Sequence, residues 1–531
     1  MARTYESALS HLAALQSNRA VTSLFTPPAP TPSSTPGSKP DLNALAIPEM
    51  QAWLRRGGIS ASELAGSGLR CIHVAGTKGK GSVCAYLTAL LTHSSAAGKV
   101  GTYTSPHLVS VRERIAINGV PMSRDLFARY FFAVWDACTD AARAEQKGEG
   151  SEDALRGPAT KPFYFRFLTL VALRAFLGEG VRTAVVECGI GGEYDSTNVL
   201  PAELVTASVV AQLGIDHVGM LGATLPEIAW HKAGVCKPGR ACFTRRLEGD
   251  ETMRVLRRRA QEKSATLVEV EDMDVVRWGG VQPTEKTAGA LEGEFQKYNQ
   301  ALAVLAAREH LRVLAGGKQP GEESERLDSV PASFTSALQY ARLRGRCETH
   351  EDEKAPVTWL IDGAHTAESL AEVARWYTSK VDSREDETRI LLFNQQDRDA
   401  ARLVGGLLRD IEVNPSASPS NQEEKKQNQI FAHAVFTRND IHPRVTKAET
   451  EADVEPERDL TAQHAAAEAL RNISPATTTS VVDNVADAVS QIRAIAKQQH
   501  HDTAQRTTVL VTGSLHLVGA LLRTLEPDAE D

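Results

Sequence analysis

The sequence predicts an α/β protein with mainly parallel sheets, and three observations lead to this prediction. Short runs of β-branched or apolar residues recur along the chain, and a helix-like segment follows each of them. Such alternation is typical of parallel sheets whose faces are covered by helices. Glycine-rich or polar clusters directly follow several of these runs. Because ligands of such sheets bind beyond the carboxyl ends of the strands, these clusters are where we expect the chemistry.

The chain is 531 residues long, which exceeds one typical domain, so we expect two domains with insertions. Hydrophobic residues make up 42% of the chain and charged residues 24%, which is enough to build buried cores. The predicted strands, in chain order, are Cys71–Ala75, Thr183–Glu187, Val205–Ala211, Val357–Ile361, Arg389–Phe393, Ile430–Phe436 and Thr508–Thr512.

Several segments between the strands are polar or low in complexity, and we predict that they are surface loops or insertions. Pro27–Pro40 is rich in proline and serine and predicts an extended loop, while Asn414–Gln429 predicts a disordered insertion. Met1–Phe25 carries periodic leucines and predicts a structural helix rather than a targeting peptide. The remaining polar segments are Glu145–Lys161, Gly316–Arg326 and Lys447–Asp459.

Charge and cysteine content exclude several classes of protein. The formal net charge of −8 argues against a general affinity for nucleic acid or for anionic membranes. No apolar run approaches the roughly 18 residues of a membrane span, so we expect no stable membrane insertion. The seven cysteines are scattered without a CxxC pair, which favours reduced, buried thiols over a zinc site or a disulfide framework. We therefore expect a cytoplasmic protein, with a mitochondrial form as the alternative.

Residues 71–91 read as a strand, a glycine-rich loop and a helix, a combination that binds phosphate. The loop, at 76–82, is Gly-Thr-Lys-Gly-Lys-Gly-Ser. Lys80 would supply a positive charge for the β- and γ-phosphates, and Ser82 a hydroxyl near a metal ion. The loop departs from the usual GxxxxGK[ST] pattern, since Val74 replaces the first glycine and Gly81 displaces the serine by one position. A flexible turn is the alternative interpretation.

Polar side chains at three other strand ends would suit Mg²⁺, which works with phosphate loops and prefers oxygen ligands. Glu187 ends an apolar strand, Ser105 follows a short strand-like stretch, and His217 lies in a glycine-flanked loop after a strand. Each has a simpler interpretation, namely a strand-end acid facing water, a serine in a turn and a capping histidine. Their occurrence together at the strand ends of one α/β chain favours a common site.

Eight ordered stretches stand out along the chain: HVAGTKGKGSV, YTSPHLVSVRERIAING, FYFRFLTL, VVECGIGGEYDSTN, LGIDHVGMLG, HKAGVCKPG, IDGAHTAESL and VTGSLHLVG. In order and spacing they resemble the folylpolyglutamate synthases, which belong to the wider Mur ligase superfamily. Tyr5–Asn18 also resembles the first helix of that family. The resemblance covers nearly the whole chain apart from the low-complexity segments.

The resemblance implies an N-terminal, P-loop ATPase-like domain at 1–340 and a C-terminal, Rossmann-like α/β domain at 341–531, with the active site in the cleft between them. It also implies a ligase that adds L-glutamate through the γ-carboxylate of tetrahydrofolate or a folylpolyglutamate, by way of an acyl-phosphate formed with ATP. The implied cofactors are Mg²⁺ and a monovalent cation, with ATP as co-substrate. The family resemblance favours a monomer.

The resemblance further implies roles for individual residues by their position in the motifs. Lys232, in HKAG, corresponds to a lysine, often carbamylated, beside a second metal ion. His365 is expected near the nucleotide, where either it or a metal-bound carboxylate could accept a proton from the amine of glutamate. The implied catalytic residues are Lys80, Lys232 and His365; the ATP-binding residues are Gly79, Lys80, Gly81, Ser82, Asn299, Arg346 and Asp362; and the metal ligands are Ser105, Glu187 and His217.

The sequence departs from the family pattern at two places. Phe295 stands where the family often has histidine, and Leu343-Arg344 replaces a Trp-Pro pair before Gly345-Arg346. Within the same fold, a dihydrofolate synthase or a bifunctional enzyme is the alternative function, although GTKGKGS and FYFRFLTL favour the folylpolyglutamate synthases. The alternative of another class is a non-catalytic P-loop regulatory protein, which would be expected to lose the polar strand-end residues.

Overall fold

The structure, a computed structural model of the chain, describes residues 3–15, 42–145, 151–284, 290–317, 326–381, 387–396, 399–413, 430–444, 456–503 and 505–527. The segments Pro27–Pro40 and Asn414–Gln429, predicted as a loop and an insertion, lie outside the described residues. The same holds for 146–150 of Glu145–Lys161, 318–325 of Gly316–Arg326 and 447–455 of Lys447–Asp459.

The chain folds into two compact units. The first consists of Met1–Pro106, Val111–Val281 and Gln296–Ala341. The second consists of His107–Ser110, Gln282–Phe295 and Arg342–Asp531, so two short early segments pack with the C-terminal part of the chain. Each unit is built on one mainly parallel sheet, which confirms the predicted α/β class.

The first unit contains eight described strands: β1 Arg70–Ala75, β2 Val100–Tyr103, β3 Ile115–Ile117, β4 Val120–Pro121, β5 Thr183–Glu187, β6 Val205–Val210, β7 Ala241–Arg245 and β8 Thr266–Val270. They form one sheet in the order β4-β3-β2-β5-β1-β6-β7-β8. β3 pairs antiparallel with β2 and β4, whereas the strands from β2 to β8 in that order are parallel. Every residue of β5 and β6 is buried, as expected for parallel strands covered on both faces.

The register of the central strands brings three chain segments to one edge of this sheet. Val74 in β1 lies opposite Glu187 in β5 and Val209 in β6. Because these strands are parallel, the residues that follow them emerge at the same carboxyl edge. The glycine-rich loop, the turn after Glu187 and the segment after β6 are therefore neighbours.

An aromatic cluster joins several helices of the first unit. The ring centroid of Phe131 lies 5.6 Å from that of Trp135 and 4.9 Å from that of Phe167. His11 packs edge-on against Trp135, which anchors the first helix. That helix ends at Ala13, earlier than predicted, and residues 16–18 lie outside the described residues.

The described helices of the first unit are Tyr5–Ala13, Leu42–Arg56, Ala61–Gly66, Lys80–Thr92, Arg124–Glu145, Glu152–Arg156, Tyr164–Gly178, Val218–Leu221, Leu225–Lys232, Asp250–Glu262, Asp272–Trp278, Gln296–Leu314 and Ala332–Leu338.

The second unit contains six described strands: β9 Glu348–Glu351, β10 Val357–Ile361, β11 Glu387–Phe393, β12 His433–Phe436, β13 Thr478–Val481 and β14 Arg506–Thr512. They form a sheet in the order β13-β12-β11-β14-β10-β9. β9 is antiparallel to β10, and the other neighbouring strands are parallel. The helices of this unit are Ala367–Lys380, Ala400–Val413, Thr461–Ile473, Val485–Thr503 and Leu515–Leu525.

All seven predicted strands are present, with ends that differ from the prediction by up to three residues. The largest difference is at β12, which begins at His433 rather than at Ile430. The prediction also lacks β3 and the five-residue strands β7 and β8 of the first sheet, although β7 is mostly buried. The edge strands β4, β9 and β13 are missing from it because they contain only two to four residues and are exposed or half-buried. Such strands show no clear alternation of apolar and polar residues, and pairing with a neighbour determines them.

All seven cysteines are buried, which confirms the expected burial of these thiols. Within the described ranges, no helix is both long enough and apolar enough to cross a membrane.

Candidate active site

The glycine-rich loop is held firmly against the segment that follows β6. The backbone N–H groups of Thr77 and Lys78 both donate to the carbonyl oxygen of Gln212, at 2.9 and 3.1 Å. The Thr77 hydroxyl donates to the carbonyl oxygen of Gly214 at 2.9 Å, and the hydroxyl oxygen of Thr77 accepts from the Gly214 N–H at 3.1 Å. The loop thus has a defined conformation rather than that of a loosely held turn.

The helix that follows this loop begins at a left-handed glycine. Gly79 is the N-cap of Lys80–Thr92, with φ 78° and no side-chain cap. The first N–H groups of a helix have no carbonyl partners within it and point outwards, so they form an anion-binding end. Lys80 and Gly81 are half-buried at this end and Ser82 is 5% exposed. These are the groups that the sequence assigns to phosphate.

Asn299 reaches the same loop from the helix Gln296–Leu314. Its side chain is buried, and its Nδ2 group donates to Oε1 of Gln296 at 2.8 Å. A Cβ atom placed on Gly79 would lie 2.4 Å from Oδ1 of Asn299. The structure therefore brings this predicted nucleotide-side amide against the phosphate loop, and the close contact requires glycine at position 79.

Ser105 and Glu187 come together at the ends of the neighbouring strands β2 and β5. Tyr103 pairs with Val186, so the two chains leave the sheet side by side. The Ser105 N–H donates to Oε2 of Glu187 at 2.9 Å. Glu187 is only 3% exposed, an unusual position for a carboxylate unless a positive or hydrogen-bonding partner compensates for its burial.

His217, the third predicted metal ligand, lies in a different setting. It is in the left-handed conformation with φ 49°, and its side chain makes no capping hydrogen bond to the short helix Val218–Leu221. The side chain is 42% exposed, and its Nε2 atom lies 3.8 Å from Oδ2 of Asp216. Over the described ranges, no three His, Cys, Asp or Glu side chains are grouped so that they could hold a metal ion. Within the predicted set, a hydrogen bond joins Ser105 to Glu187.

Lys232 connects the HKAG segment to the phosphate loop. It ends the helix Leu225–Lys232, which begins with a capping box between Thr224 and Glu227. The side chain is 3% exposed, and its Nζ donates to the carbonyl oxygen of Gly76 at 2.8 Å. Burial, followed by the positive charge of Lys80, lowers the pKa of Lys232 to about 7. An amine in this position is neutral for a large share of the time near neutral pH.

Asp195, which is not among the predicted site residues, lies at the same edge of the sheet. It is 6% exposed and accepts hydrogen bonds from the N–H groups of Ile190 and Thr197, both at 2.9 Å. Burial raises its pKa, while these hydrogen bonds oppose the rise. The signal was present in the EYDSTN stretch, where an acid stands before two small polar residues, but such a pattern also suits an ordinary turn.

In the second unit, Arg346, Asp362 and His365 belong to one group of loops after β10 and before β9. The carboxylate of Asp362 accepts hydrogen bonds from the N–H groups of Cys347 and Ala364, both at 2.8 Å. Burial raises the pKa of Asp362, and the charge of Arg346 opposes this rise. His365 lies with its Nδ1 atom 3.0 Å from the carbonyl oxygen of Gly363.

A phosphate-type loop on one mainly parallel α/β unit, followed in the chain by a second mainly parallel α/β unit, corresponds to the Mur ligase two-domain fold. No protein-family model matches the chain. The folylpolyglutamate synthase of Neurospora crassa is 36% identical over 538 residues, which cover 99% of this chain and 92% of that protein. That of Saccharomyces cerevisiae strain FostersO is 36% identical over 483 residues, covering 90% and 81%. The chain belongs to the folylpolyglutamate synthase family of ATP-dependent ligases, which confirms the resemblance seen in the motifs.

Solved structures share the fold. The folylpolyglutamate synthase of Thermotoga maritima matches with a TM-score of 0.61 and 20% identity, covering 98% of this chain and 96% of that one. The Mycobacterium tuberculosis enzyme complexed with ADP and AMPPCP matches with a TM-score of 0.62 and 24% identity, covering 90% and 95%. E. coli FolC in complex with DHPP and ADP matches with a TM-score of 0.58 and 21% identity, covering 99% and 98%.

Proposed function

We propose that the chain adds L-glutamate through the γ-carboxylate of tetrahydrofolate or a folylpolyglutamate, using ATP and an acyl-phosphate intermediate. One observation carries the proposal: a single edge of the first sheet holds the phosphate loop, the buried Glu187 carboxylate and the amine of Lys232. The names of the relatives and the ADP, AMPPCP and DHPP complexes of the matching structures support ATP and a folate-type acceptor as substrates.

The proposed chemistry explains why Lys80 and the N-terminus of its helix lie at this edge. A carboxylate is a poor acyl donor because its leaving group would be oxide, and transfer of a phosphoryl group to that oxygen turns it into a good leaving group. The step brings two anions together, so it requires fixed positive groups. Lys80 and the N-terminus of the helix Lys80–Thr92 supply such groups at the phosphates.

The residues present fit the expected Mg²⁺. A buried carboxylate beside a serine suits an ion that is usually bound by one or two carboxylates together with substrate phosphates and water. Ser105 and Glu187 would hold the ion, and the family pattern adds His217. When bound, Mg²⁺ neutralises charge on phosphoryl oxygens. The monovalent cation stays a prediction.

Three further assignments complete the proposal. Asn299 is proposed to contact ATP, which its approach to Gly79 supports. Arg346 and Asp362 are proposed to take part in ATP binding, and His365 to accept the proton that the glutamate amine loses when it attacks the acyl-phosphate.

The protein is proposed to act as a cytoplasmic monomer, with a mitochondrial form as the alternative.

The decisive test is incorporation of labelled L-glutamate into tetrahydrofolate with purified protein, ATP and Mg²⁺. We expect one ADP for each glutamate incorporated, and no incorporation without folate. Dihydropteroate, offered as the acceptor in a parallel reaction, distinguishes a dihydrofolate synthase or a bifunctional enzyme. A protein that binds ATP but incorporates glutamate into neither acceptor would be the non-catalytic regulatory alternative, and the proposal would be wrong.

A further inference from the structure

We propose that His73 and Thr197 are positioning residues that hold the Glu187 turn in its active shape through Asp195. His73 lies in β1, just before the phosphate loop, and Thr197 lies well beyond β5. Neither residue belongs to the sets assigned to ATP, metal or catalysis. The inference rests on the proposed function, because it takes Glu187 as the ligand of the metal ion.

A continuous chain of buried hydrogen bonds joins these residues. The Nε2 atom of His73 lies 2.8 Å from the hydroxyl oxygen of Thr197 and 3.1 Å from Sγ of Cys188. The Thr197 hydroxyl lies 2.5 Å from Oδ1 of Asp195. His73 is fully buried, and the exposed fractions of Thr197 and Asp195 are 1% and 6%. Water therefore does not compete for these bonds.

The direction of each bond follows from the donors available. The Asp195 carboxylate accepts from the Thr197 hydroxyl and from two backbone N–H groups, so the only hydroxyl proton of Thr197 points to Asp195. The hydroxyl oxygen must then accept, and the Nε2–H group of His73 is the donor. Burial lowers the pKa of His73 to about 3, which is consistent with a neutral ring.

Asp195, at the end of this chain of hydrogen bonds, holds the turn that follows Glu187. The second oxygen of Asp195 accepts from the N–H of Ile190, which lies in that turn. The turn ends at Glu193, whose N–H donates to the carbonyl oxygen of His231 at 2.7 Å, next to Lys232. The orientation of the Asp195 carboxylate therefore determines the path of the backbone between the Glu187 carboxylate and the Lys232 segment.

The test is the affinity of Mn²⁺ for the protein–ADP complex, measured from the electron paramagnetic resonance signal of free Mn²⁺. Thr197→Val keeps the shape of the side chain and removes the hydroxyl. Replacing a residue bonded directly to a metal ligand typically costs about 10- to 100-fold in metal affinity. Because Thr197 acts on Glu187 through Asp195 and the turn, we expect a weakening of about 10-fold, at the lower end of that range. Thr197→Ser keeps the hydroxyl and should bind Mn²⁺ like the wild type.

Thr206→Val is the matched control. Thr206 is also a buried threonine whose hydroxyl lies 2.7 Å from a buried histidine, His310, but it is in β6 near the amino ends of the strands. We expect this variant to lose thermal stability and to keep the wild-type affinity for Mn²⁺. His73→Asn, whose shorter side chain no longer reaches Thr197, is the second variant and should weaken Mn²⁺ binding whether or not Thr197→Val folds well.

Wild-type Mn²⁺ affinity in both folded variants, with only their melting temperatures lowered, would overturn the inference and leave the network as part of the core. A failure of the proposed function is distinguishable from this, because it would be seen in the wild-type protein as absent glutamate incorporation into either acceptor, whereas the inference is tested by the Mn²⁺ affinities of the variants.

Discussion

Lys232 lies in surroundings that are poorly suited to an ordinary ammonium group. Its Nζ is buried, donates to the carbonyl oxygen of Gly76 and lies within the field of Lys80. Desolvation and a neighbouring positive charge both favour the neutral amine. A neutral amine can attack CO₂, forming an N–C bond and releasing a proton, and the resulting carbamate offers oxygen atoms that suit Mg²⁺.

We therefore predict that Lys232→Ala is nearly inactive in glutamate incorporation and is partly rescued by acetate or formate, whose carboxylates replace the carbamate. Lys232→Arg should not restore activity, because a guanidinium stays charged and does not form the ligand. A high-resolution structure with nucleotide and Mg²⁺ that shows an unmodified Lys232 pointing away from the metal would contradict this prediction.

Lys80 is predicted to act through its charge and not through the fold. It is half-buried at the start of its helix. Lys80→Ala should reduce the turnover number by about 100-fold or more, as loss of a group that stabilises transition-state charge typically does. Its melting temperature should stay close to that of the wild type. Lys99→Ala, which removes a lysine before β2, is the matched control, and near-normal turnover in Lys80→Ala would exclude the loop from the mechanism.

At the scale of elements, the phosphate loop depends on two properties of Gly79 that the structure separates. The backbone has φ 78°, which disfavours other residues, and Asn299 occupies the place of a side chain. Gly239 has a similar φ of 68° but open space around it. Comparing alanine substitutions at Gly79 and Gly239 therefore separates the effect of backbone strain from the effect of the contact with Asn299.

We predict that Gly79→Ala and Gly239→Ala each lose about 1–2 kcal/mol of unfolding free energy through the left-handed backbone. Only Gly79→Ala should also weaken ATP binding, by about tenfold or more, since its methyl group displaces Asn299 and the loop. Calorimetric titration with ATP measures this. Equal ATP affinities in the two variants would show that the contact with Asn299 has no role in nucleotide binding.

At the scale of the whole molecule, we predict that a residue of the second unit contributes to ATP binding. Asp362→Ala should weaken ATP affinity in a calorimetric titration. Because the Asp362 carboxylate also holds the N–H groups of Cys347 and Ala364, stability will fall as well. Asp352→Ala is the control, since Asp352 is another hydrogen-bonded acid of this unit, paired with Arg493 at 2.9 Å. Unchanged ATP affinity in Asp362→Ala would count against its assignment.

Acid should destabilise the protein through two buried histidines. Burial lowers the pKa of both His73 and His310 to about 3. In the unfolded chain these groups bind protons below about pH 6.5, whereas in the folded chain they do not. Their contribution is therefore fully present above about pH 6.5 and decreases as the pH falls towards 3, by about 1.4 kcal/mol per pH unit for each histidine.

Denaturant unfolding at several pH values between about 7 and about 4.5 tests this. This range covers roughly the upper half of the interval from about pH 6.5 to about pH 3 over which stability should decrease. His310→Asn should reduce the pH dependence of the unfolding free energy by the contribution of one histidine. His464→Asn, at an exposed position, should not change it. An unchanged slope in His310→Asn would mean that this ring is protonated in the folded protein.

The sequence alone was sufficient for the fold class, the seven main strands and the family. Buried parallel strands are local runs of apolar residues, and the motifs that follow them are contiguous, so both can be recognised without knowing what they contact. The phosphate loop was predicted for the same reason, since the strand, the glycines, Lys80 and the helix are adjacent in the chain.

Only the tertiary structure determined which residues from distant parts of the chain are in contact. Ser105 and Glu187 are 82 positions apart, and their hydrogen bond depends on the pairing of β2 with β5. His73 and Thr197 are 124 positions apart, and each taken alone is an ordinary buried polar residue. The lowered pKa of Lys232 likewise depends on burial and on the charge of Lys80. Strand pairing and desolvation depend on distant parts of the chain, so they are set by the folded protein and not by any local pattern of residues.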